Sequence, residues 1–256
     1  EEMGRNIVPG PFFSTVVLCA PAILAAGTAE QKRELLPKLV RGELILSFAL
    51  TEPGARYDAD GVRVTARRDG GGYVIDGTKL FVADAHVADY LICVTQTRDG
   101  ATPEAGITLF LVDGKRPGIR YEVIPTIAAD KLCEVVFDKV RVSRKNMLGK
   151  LHQGWPVVKR VLEQATVAKC AEMLGGAQAA LDMTIEYAKT RVQYERPIGS
   201  FQAIQHFLAD MATNLELARD ITYRAAWYVG EGLPCTKEVA MAKAWTSDTY
   251  TLIAQR

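Results

Sequence analysis

The stretch FALTEPG, residues 48–54, ends a β-prone apolar run in a bend that carries a hydroxyl. Pro53 presets φ, Gly54 permits a positive φ, and Thr51 places its side chain just before the corner. Alone, these residues fit a bare turn as well as a corner that holds a ligand. Other reactive groups are dispersed. The three histidines (His86, His152, His206) are too far apart in sequence to suggest a metal site. The five cysteines (Cys19, Cys93, Cys133, Cys170, Cys235) form no CxxC pair. They suit reduced core thiols in a reducing compartment better than a disulfide framework. RDGGGY, residues 68–73, is rich in glycine but follows a strand and opens no helix. It therefore predicts a hairpin turn, not a phosphate-binding loop.

Three kinds of segment must position these groups. Residues 11 to about 45 are helical in pattern, with Thr28 and Gln31 spaced for a capping box before AEQKRELL. Pro37 is expected to bend or end that helix, and Gly42 to close it. FFSTVVLCAPAILAAG, residues 12–27, is uncharged, but it is shorter than the roughly 20 residues of a membrane span and is interrupted by Pro21. The acidic EEMGRN before it is unlike the basic start of a signal peptide, so the segment reads as core. From about 45 to 142, short β-prone runs follow one another with no helix between them. That order predicts an antiparallel barrel or sandwich and argues against a nucleotide-binding α/β sheet.

Helical periodicity returns near residue 154. Phe201, Ile204, Leu208, Met211, Leu215, Ala218, Ile221, Ala225 and Tyr228 recur every three or four residues, the pattern of a bundle helix. RPIGS separates it from the preceding helix, with Ser200 the expected N-cap; Gly175 and Gly176 in that preceding helix would let a neighbour approach closely. A further helix from Thr236 is still running at TLIAQR, as if the sequence were cut within it. Charged residues make up 24% of the 256-residue chain and the formal net charge is +1, which gives no electrostatic case for nucleic acid or an anionic membrane.

Helices, then strands, then long helices is also the order of a known family. GTAEQKRELLPKLVRGE, FALTEPGA with Asp58, YVIDGTKLFV followed by ADY, VVFDKVRVSRKNMLG followed by GW, and RVQYERPIGSFQAIQHFLADM occur in sequence. Together they make the chain resemble the acyl-CoA dehydrogenases over essentially all of its length. The resemblance implies an α+β fold: a partial N-terminal helical domain (residues 1–45), a middle antiparallel β-barrel domain (46–148) and an incomplete C-terminal helical bundle (149–256). It also implies that both termini are truncated.

The chemistry implied is FAD-dependent. A carboxylate removes the α-proton of an acyl-CoA thioester while the β-hydride goes to flavin N5, and hydrogen bonds to the thioester carbonyl stabilise the enolate-like charge. By resemblance, Phe48, Leu50 and Thr51 contact the flavin ring. Phe81 packs on it where the family commonly has Trp, and Ala83 stands where a Ser or Thr hydroxyl commonly meets N5. Tyr57, in the Arg56-Tyr57-Asp58 that replaces the usual Gly-Ser-Asp, falls at the substrate, and Arg56 adds a charge that could meet a phosphate. Arg191 matches an arginine that reaches the FAD pyrophosphate of a neighbouring subunit. Tyr194 matches an aromatic beside the adenine side and Gln202 a polar contact, while Glu195 replaces a Gly.

The catalytic base is expected beyond Arg256. The alternative family position falls on Ala165-Thr166, and nearby Glu163 reads as a solvated or salt-bridged carboxylate. Two readings follow. The first is an active dehydrogenase, which the intact Thr51, Phe81, Arg191 and Gln202 favour; the alternative is a redox-incompetent or partner subunit with a degenerate site, which Ala83, Tyr57, Glu195 and Thr166 favour. The implied partners are an acyl-CoA, an electron acceptor such as an electron-transfer flavoprotein, and further subunits in a homo- or hetero-oligomer. No metal, nucleic acid or membrane span is expected, and the implied setting is the cytoplasm, or the mitochondrial matrix in a eukaryote.

Overall fold

A computed structural model describes residues 1–54, 56–98 and 100–255. The chain divides into two compact units, Gly10–Leu162 and a second made of Glu1–Pro9 with Glu163–Arg256. The short helix α1 (Glu2–Arg5) belongs to the second.

In the unit Gly10–Leu162, a π-helical stretch (Phe13–Cys19) leads into α2 (Ala20–Ala26) and α3 (Ala29–Val40). The segment expected to be core is buried along one face only. Ser14, Thr15, Cys19, Ala22 and Ile23 are inside, while Phe12, Val16 and Leu24 are exposed. The capping box forms as its spacing predicts. The Thr28 hydroxyl accepts from the Gln31 N–H, and the Gln31 side chain accepts from the Thr28 N–H. Pro37 does not stop α3, which runs on to Val40; Gly42, at φ +71°, closes it.

The strands are β1 (Leu46–Ala49), β2 (Thr65–Asp69), β3 (Gly72–Ala83), β4 (Tyr90–Gln96), β5 (Ile107–Asp113), β6 (Ile119–Ile124), β7 (Leu132–Ser143) and β8 (Met147–Leu148). They form one sheet in the order β6-β7-β3-β2-β4-β5-β8, with β1 also paired to β4. Most pairings are antiparallel, as expected without crossover helices, but β1 and β2 each run parallel to β4. RDGGGY is the β2–β3 hairpin, with Asp69 opposite Gly72. One apolar cluster combines Phe48, Ile92, Leu109 and Val158 with Ile23 and Leu35 of the helices. A second holds Ile75, Cys93, Phe110 and Phe137 within the strands.

Three long helices dominate the remainder: α4 (Trp155–Thr190), α5 (Gln202–Gly230) and α6 (Thr236–Gln255). Between α4 and α5 lies a small hairpin of β9 (Val192–Gln193) and β10 (Arg196–Pro197). In the second unit, Leu174, Ala177 and Leu181 of α4 meet Met211, Leu215 and Ala218 of α5 and Ile253 of α6. Both glycines of α4 are points of close approach. A Cβ on Gly175 would collide with the Glu1 backbone, and one on Gly176 would press on the Tyr250 ring. Ser200 does not cap α5. Its hydroxyl turns back 2.7 Å to the Pro197 carbonyl, and Phe201 takes the N-cap position without a side-chain bond.

Candidate active site

The chain leaves the β4 ladder after Ala49, and the corner that follows is fixed from inside. Alternation along β3 puts Tyr73, Ile75 and Lys79 on the buried phase. Lys79 is wholly buried, and its Nζ donates to the Leu50 carbonyl at 3.0 Å and to Glu52 Oε1 at 2.7 Å. The Glu52 carboxylate also accepts from the Arg63 N–H at 2.8 Å and the Val64 N–H at 3.0 Å. A buried ion pair of this kind persists only when paired and hydrogen-bonded so thoroughly, because both charges have lost their water. Cys93 lies close to this pair, and burial pushes its thiol up to about 12.

The same corner meets an irregularity in β3. Lys79 pairs with Val135 and Val82 with Cys133, so β3 carries one extra residue there, a β-bulge. Within the bulge, the Leu80 N–H donates to the Thr51 carbonyl at 2.8 Å. Phe81 adopts φ +53°, and the residue stays 47% exposed. A left-handed aromatic residue with an exposed ring is a local strain that surrounding structure must enforce. Ala83 follows, its carbonyl accepting from the Ser47 hydroxyl at 2.5 Å. Asp84, at φ +59°, accepts from the Ser14 hydroxyl at 2.7 Å. Thr15 bonds both the N–H and the carbonyl of Leu46 at 3.0 Å. The π-helical stretch thus grips β1 and the far end of β3 together.

The structure brings Leu50, Thr51, Phe81 and Ala83 into one neighbourhood, with Leu50 and Thr51 half-buried. Phe48 sits deeper, its side chain within the apolar core. Among the described residues, no acceptor meets the Thr51 N–H and no partner meets its hydroxyl. An exposed aromatic face beside unpaired backbone and hydroxyl donors suits a flat heteroaromatic ring with polar edges, which is the chemistry of an isoalloxazine. Ala83 contributes no side-chain donor. Of the residues after the corner, Ala55 lies outside those described. Tyr57 is largely exposed, and Arg56 is engaged by Asp60 instead of standing free for a phosphate.

In the other unit, Arg191 stands between α4 and β9. Its carbonyl accepts from the Ile198 N–H at 2.8 Å, and its exposed guanidinium makes no ion pair among the described residues. Tyr194 and Glu195 form the β9–β10 turn with φ of +51° and +66°. Tyr194 is 88% exposed, with its ring edge-on to Phe201 at 6.2 Å. Gln202 is the exposed first residue of α5. Glu163 is not free: its carboxylate accepts from the Thr236 hydroxyl at 2.6 Å, at the start of α6, and it makes no salt bridge among the described residues. Among the described residues, no cluster of His, Cys, Asp or Glu could hold a metal, and no helix is long and apolar enough to cross a membrane. All five cysteines are free and buried.

Lys79, Glu52 and Ser14 escape a reading based on the family's ligand contacts. The signal for Lys79 was present in the alternation of β3, where a lysine on the buried phase must find an acid.

The N-terminal, middle and C-terminal domains of acyl-CoA dehydrogenase match residues 1–43, 47–140 and 152–256. The chain is 37% identical over 97% of its length to 3-(aryl)acrylate reductase of Clostridium sporogenes, covering 67% of that protein. It is 38% identical over 92% of its length to a short-chain specific acyl-CoA dehydrogenase of Megasphaera elsdenii, covering 62%. The chain therefore spans about two thirds of the length of these relatives. The butyryl-CoA dehydrogenase structure from Megasphaera elsdenii superposes with a TM-score of 0.90 at 35% identity, covering 96% of this chain and 65% of that one. An FAD complex of PigA gives 0.90 at 29% identity, covering 96% and 64%. With all three segments matched and relatives of this identity spanning more than nine-tenths of it, the chain belongs to the acyl-CoA dehydrogenase family of flavoprotein oxidoreductases.

Proposed function

We propose that this chain forms the flavin-binding part of an enzyme acting on the Cα–Cβ bond of an acyl-CoA thioester. The observation that carries the reading is Phe81, exposed and left-handed in a β-bulge that is tied to Thr51. When bound, FAD supplies the two-electron chemistry at the β-carbon. The chain's own residues do the rest. Thr51 offers its N–H and hydroxyl to the ring edge, Phe81 covers a ring face, and Leu50 walls the slot against water. Arg191 pairs with a pyrophosphate across a subunit boundary, flanked by Tyr194 and Gln202, and Tyr57 borders the thioester. The α-proton is taken by a carboxylate; Glu163, the acid nearest the alternative family position, is engaged by the Thr236 hydroxyl. A homo- or hetero-oligomer and an electron-transfer flavoprotein are part of the same proposal, as is a cytoplasmic or matrix location.

The direction of reaction is a second matter. A relative at 37% identity is named a reductase of 3-(aryl)acrylates, which favours testing saturation of the double bond as well as its formation. The missing hydroxyl at Ala83 favours a second reading, a redox-incompetent partner subunit.

The visible spectrum of the full-length protein tests these readings together. A flavin band that bleaches anaerobically on adding a saturated acyl-CoA supports dehydrogenation. Reoxidation of the reduced protein by an enoyl-CoA or arylacrylate supports reduction. A coloured protein inert to both is the partner-subunit outcome, and a colourless protein that takes up no added FAD overturns the flavin assignment.

A further inference from the structure

We propose that Lys79 is a positioning residue that aims the Thr51 N–H at the flavin; this inference rests on the flavin reading above. The ammonium bonds the Leu50 carbonyl at 3.0 Å, and that carbonyl shares a peptide plane with the Thr51 N–H. The peptide is trans, as are all others described, so carbonyl and N–H point in opposite directions. A carbonyl drawn inward to Lys79 leaves the Thr51 N–H facing away from the buried pair. Rotation about the plane is then blocked from the other side, where the Thr51 carbonyl accepts from Leu80 at 2.8 Å. Leu80 and Phe81 are the two residues between the ladder pairs that bound the bulge, so the donor and the aromatic face are fixed by one device.

Glu52 completes it. Its carboxylate satisfies the ammonium and is itself anchored by the Arg63 and Val64 N–H groups, so the Lys79 head cannot follow a shifting corner. A need for stability alone does not explain the arrangement, because well-packed apolar residues serve a core as well as a buried ion pair does. What apolar residues cannot do is hold one carbonyl at one orientation.

The test uses the full-length protein and the double variant Lys79→Met with Glu52→Gln. This removes both charges at similar volume, and a glutamine oxygen in the Oε2 position still accepts from Arg63 at 2.8 Å and from Val64 at 3.2 Å. The expected result is an apoprotein melting within a few degrees of the parent, FAD bound at least about tenfold more weakly, and an altered visible circular dichroism of bound flavin. Parent-like affinity and dichroism would overturn the inference while leaving the flavin reading intact. A parent that takes up no FAD removes both. Should the double variant not fold, amide hydrogen exchange in the unaltered protein decides. The Thr51 N–H should exchange readily without FAD and become protected when FAD is added. Protection already present without FAD, or none gained with it, overturns the inference.

Discussion

Gly175 and Glu1 are in backbone contact. A Cβ built on Gly175 would stand 2.0 Å from the Glu1 carbonyl oxygen and 2.7 Å from the Arg5 nitrogen. Helix α1 is held there by ion pairs from Arg5 to Asp182 and from Arg219 to Glu1. Alanine in place of glycine within a helix is ordinarily worth about 1 kcal/mol. Here that gain opposes a backbone collision that no side-chain rotation relieves. Gly175→Ala should therefore be net destabilising by roughly 1–2 kcal/mol, the range of an overpacked contact. Thermal unfolding of the variant beside the parent checks the sign; a raised midpoint would show that α1 does not dock on α4 in solution.

Tyr194 and Glu195 both adopt positive φ in the β9–β10 turn, where Asn-Gly is the favoured pair. A left-handed residue other than Gly, Asn or Asp costs about 1–2 kcal/mol locally. Glu195→Gly should raise stability by about 0.5–1 kcal/mol once the extra freedom of glycine in the unfolded chain is subtracted. It should leave the Arg191 carbonyl bond to Ile198 in place. Denaturant titration of the pair reads this out, and a loss of stability would mean that the Glu195 side chain makes a contact worth more than the strain.

The legible and illegible parts of this chain divide along physical lines. Capping chemistry is local, so Thr28 and Gln31 could be read from spacing alone. Close approach at Gly175 and Gly176 was equally visible, because only glycine admits it. The expectation for Ser200 failed because its hydroxyl found the Pro197 carbonyl, a nearer competitor of the kind short polar side chains often meet. Apolar periodicity named Ile221 for the face of α5, yet Thr222 is the fully buried neighbour, paired with Thr246 at 3.2 Å. Hydropathy passes over a polar residue whose bond is supplied by another helix. The site showed the same limit. Motifs marked Thr51 and Phe81, and alternation marks Lys79 as buried, but the bulge, the left-handed Phe81 and the Lys79 bond to the Leu50 carbonyl depend on β7 and the Leu50–Glu52 corner, which no local pattern encodes.

Asp182 offers a pH signature. Hydrogen bonds from Gln178 and Arg5 hold its carboxyl below the ordinary aspartate range. A folded-state pKa below the unfolded one adds stability at pH above about 3.9, which is lost as pH falls through the lower folded value. Asp182→Asn removes that dependence. In urea titrations from pH 5 downward, the parent should lose stability more steeply than the variant. The difference should shrink in 1 M salt, since both partners are partly exposed. Parallel curves would show that the pairing contributes nothing in solution.

Arg191 has an exposed guanidinium with no ion-pair partner among the described residues, so removing it should disturb the fold little. If it meets a pyrophosphate, Arg191→Ala should weaken FAD retention by about 1.5–3 kcal/mol, the range of a charge-assisted bond. That is roughly ten- to a hundredfold in the dissociation constant, measurable by flavin fluorescence during ultrafiltration. Lys at this position should restore only part of the affinity, because an ammonium lacks the guanidinium's paired donors. Equal affinity in all three proteins would remove Arg191 from the site.

Ala83 is the substitution with the clearest remedy. Its carbonyl is fixed by the Ser47 hydroxyl and the following Asp84 by Ser14, so the backbone around it should not move when the side chain grows by one atom. Its side chain is only partly buried, which leaves room for a hydroxyl. Ala83→Ser should therefore add one hydrogen bond toward the ring and tighten FAD binding by about 1 kcal/mol, or several-fold in the dissociation constant. The reduced and oxidised flavin would gain unequally from that bond, so the midpoint potential should shift with it. Both quantities follow from reductive titration and fluorescence on one preparation. If neither changes, the residue does not face the ring, and the alanine would then be no mark of a weakened site.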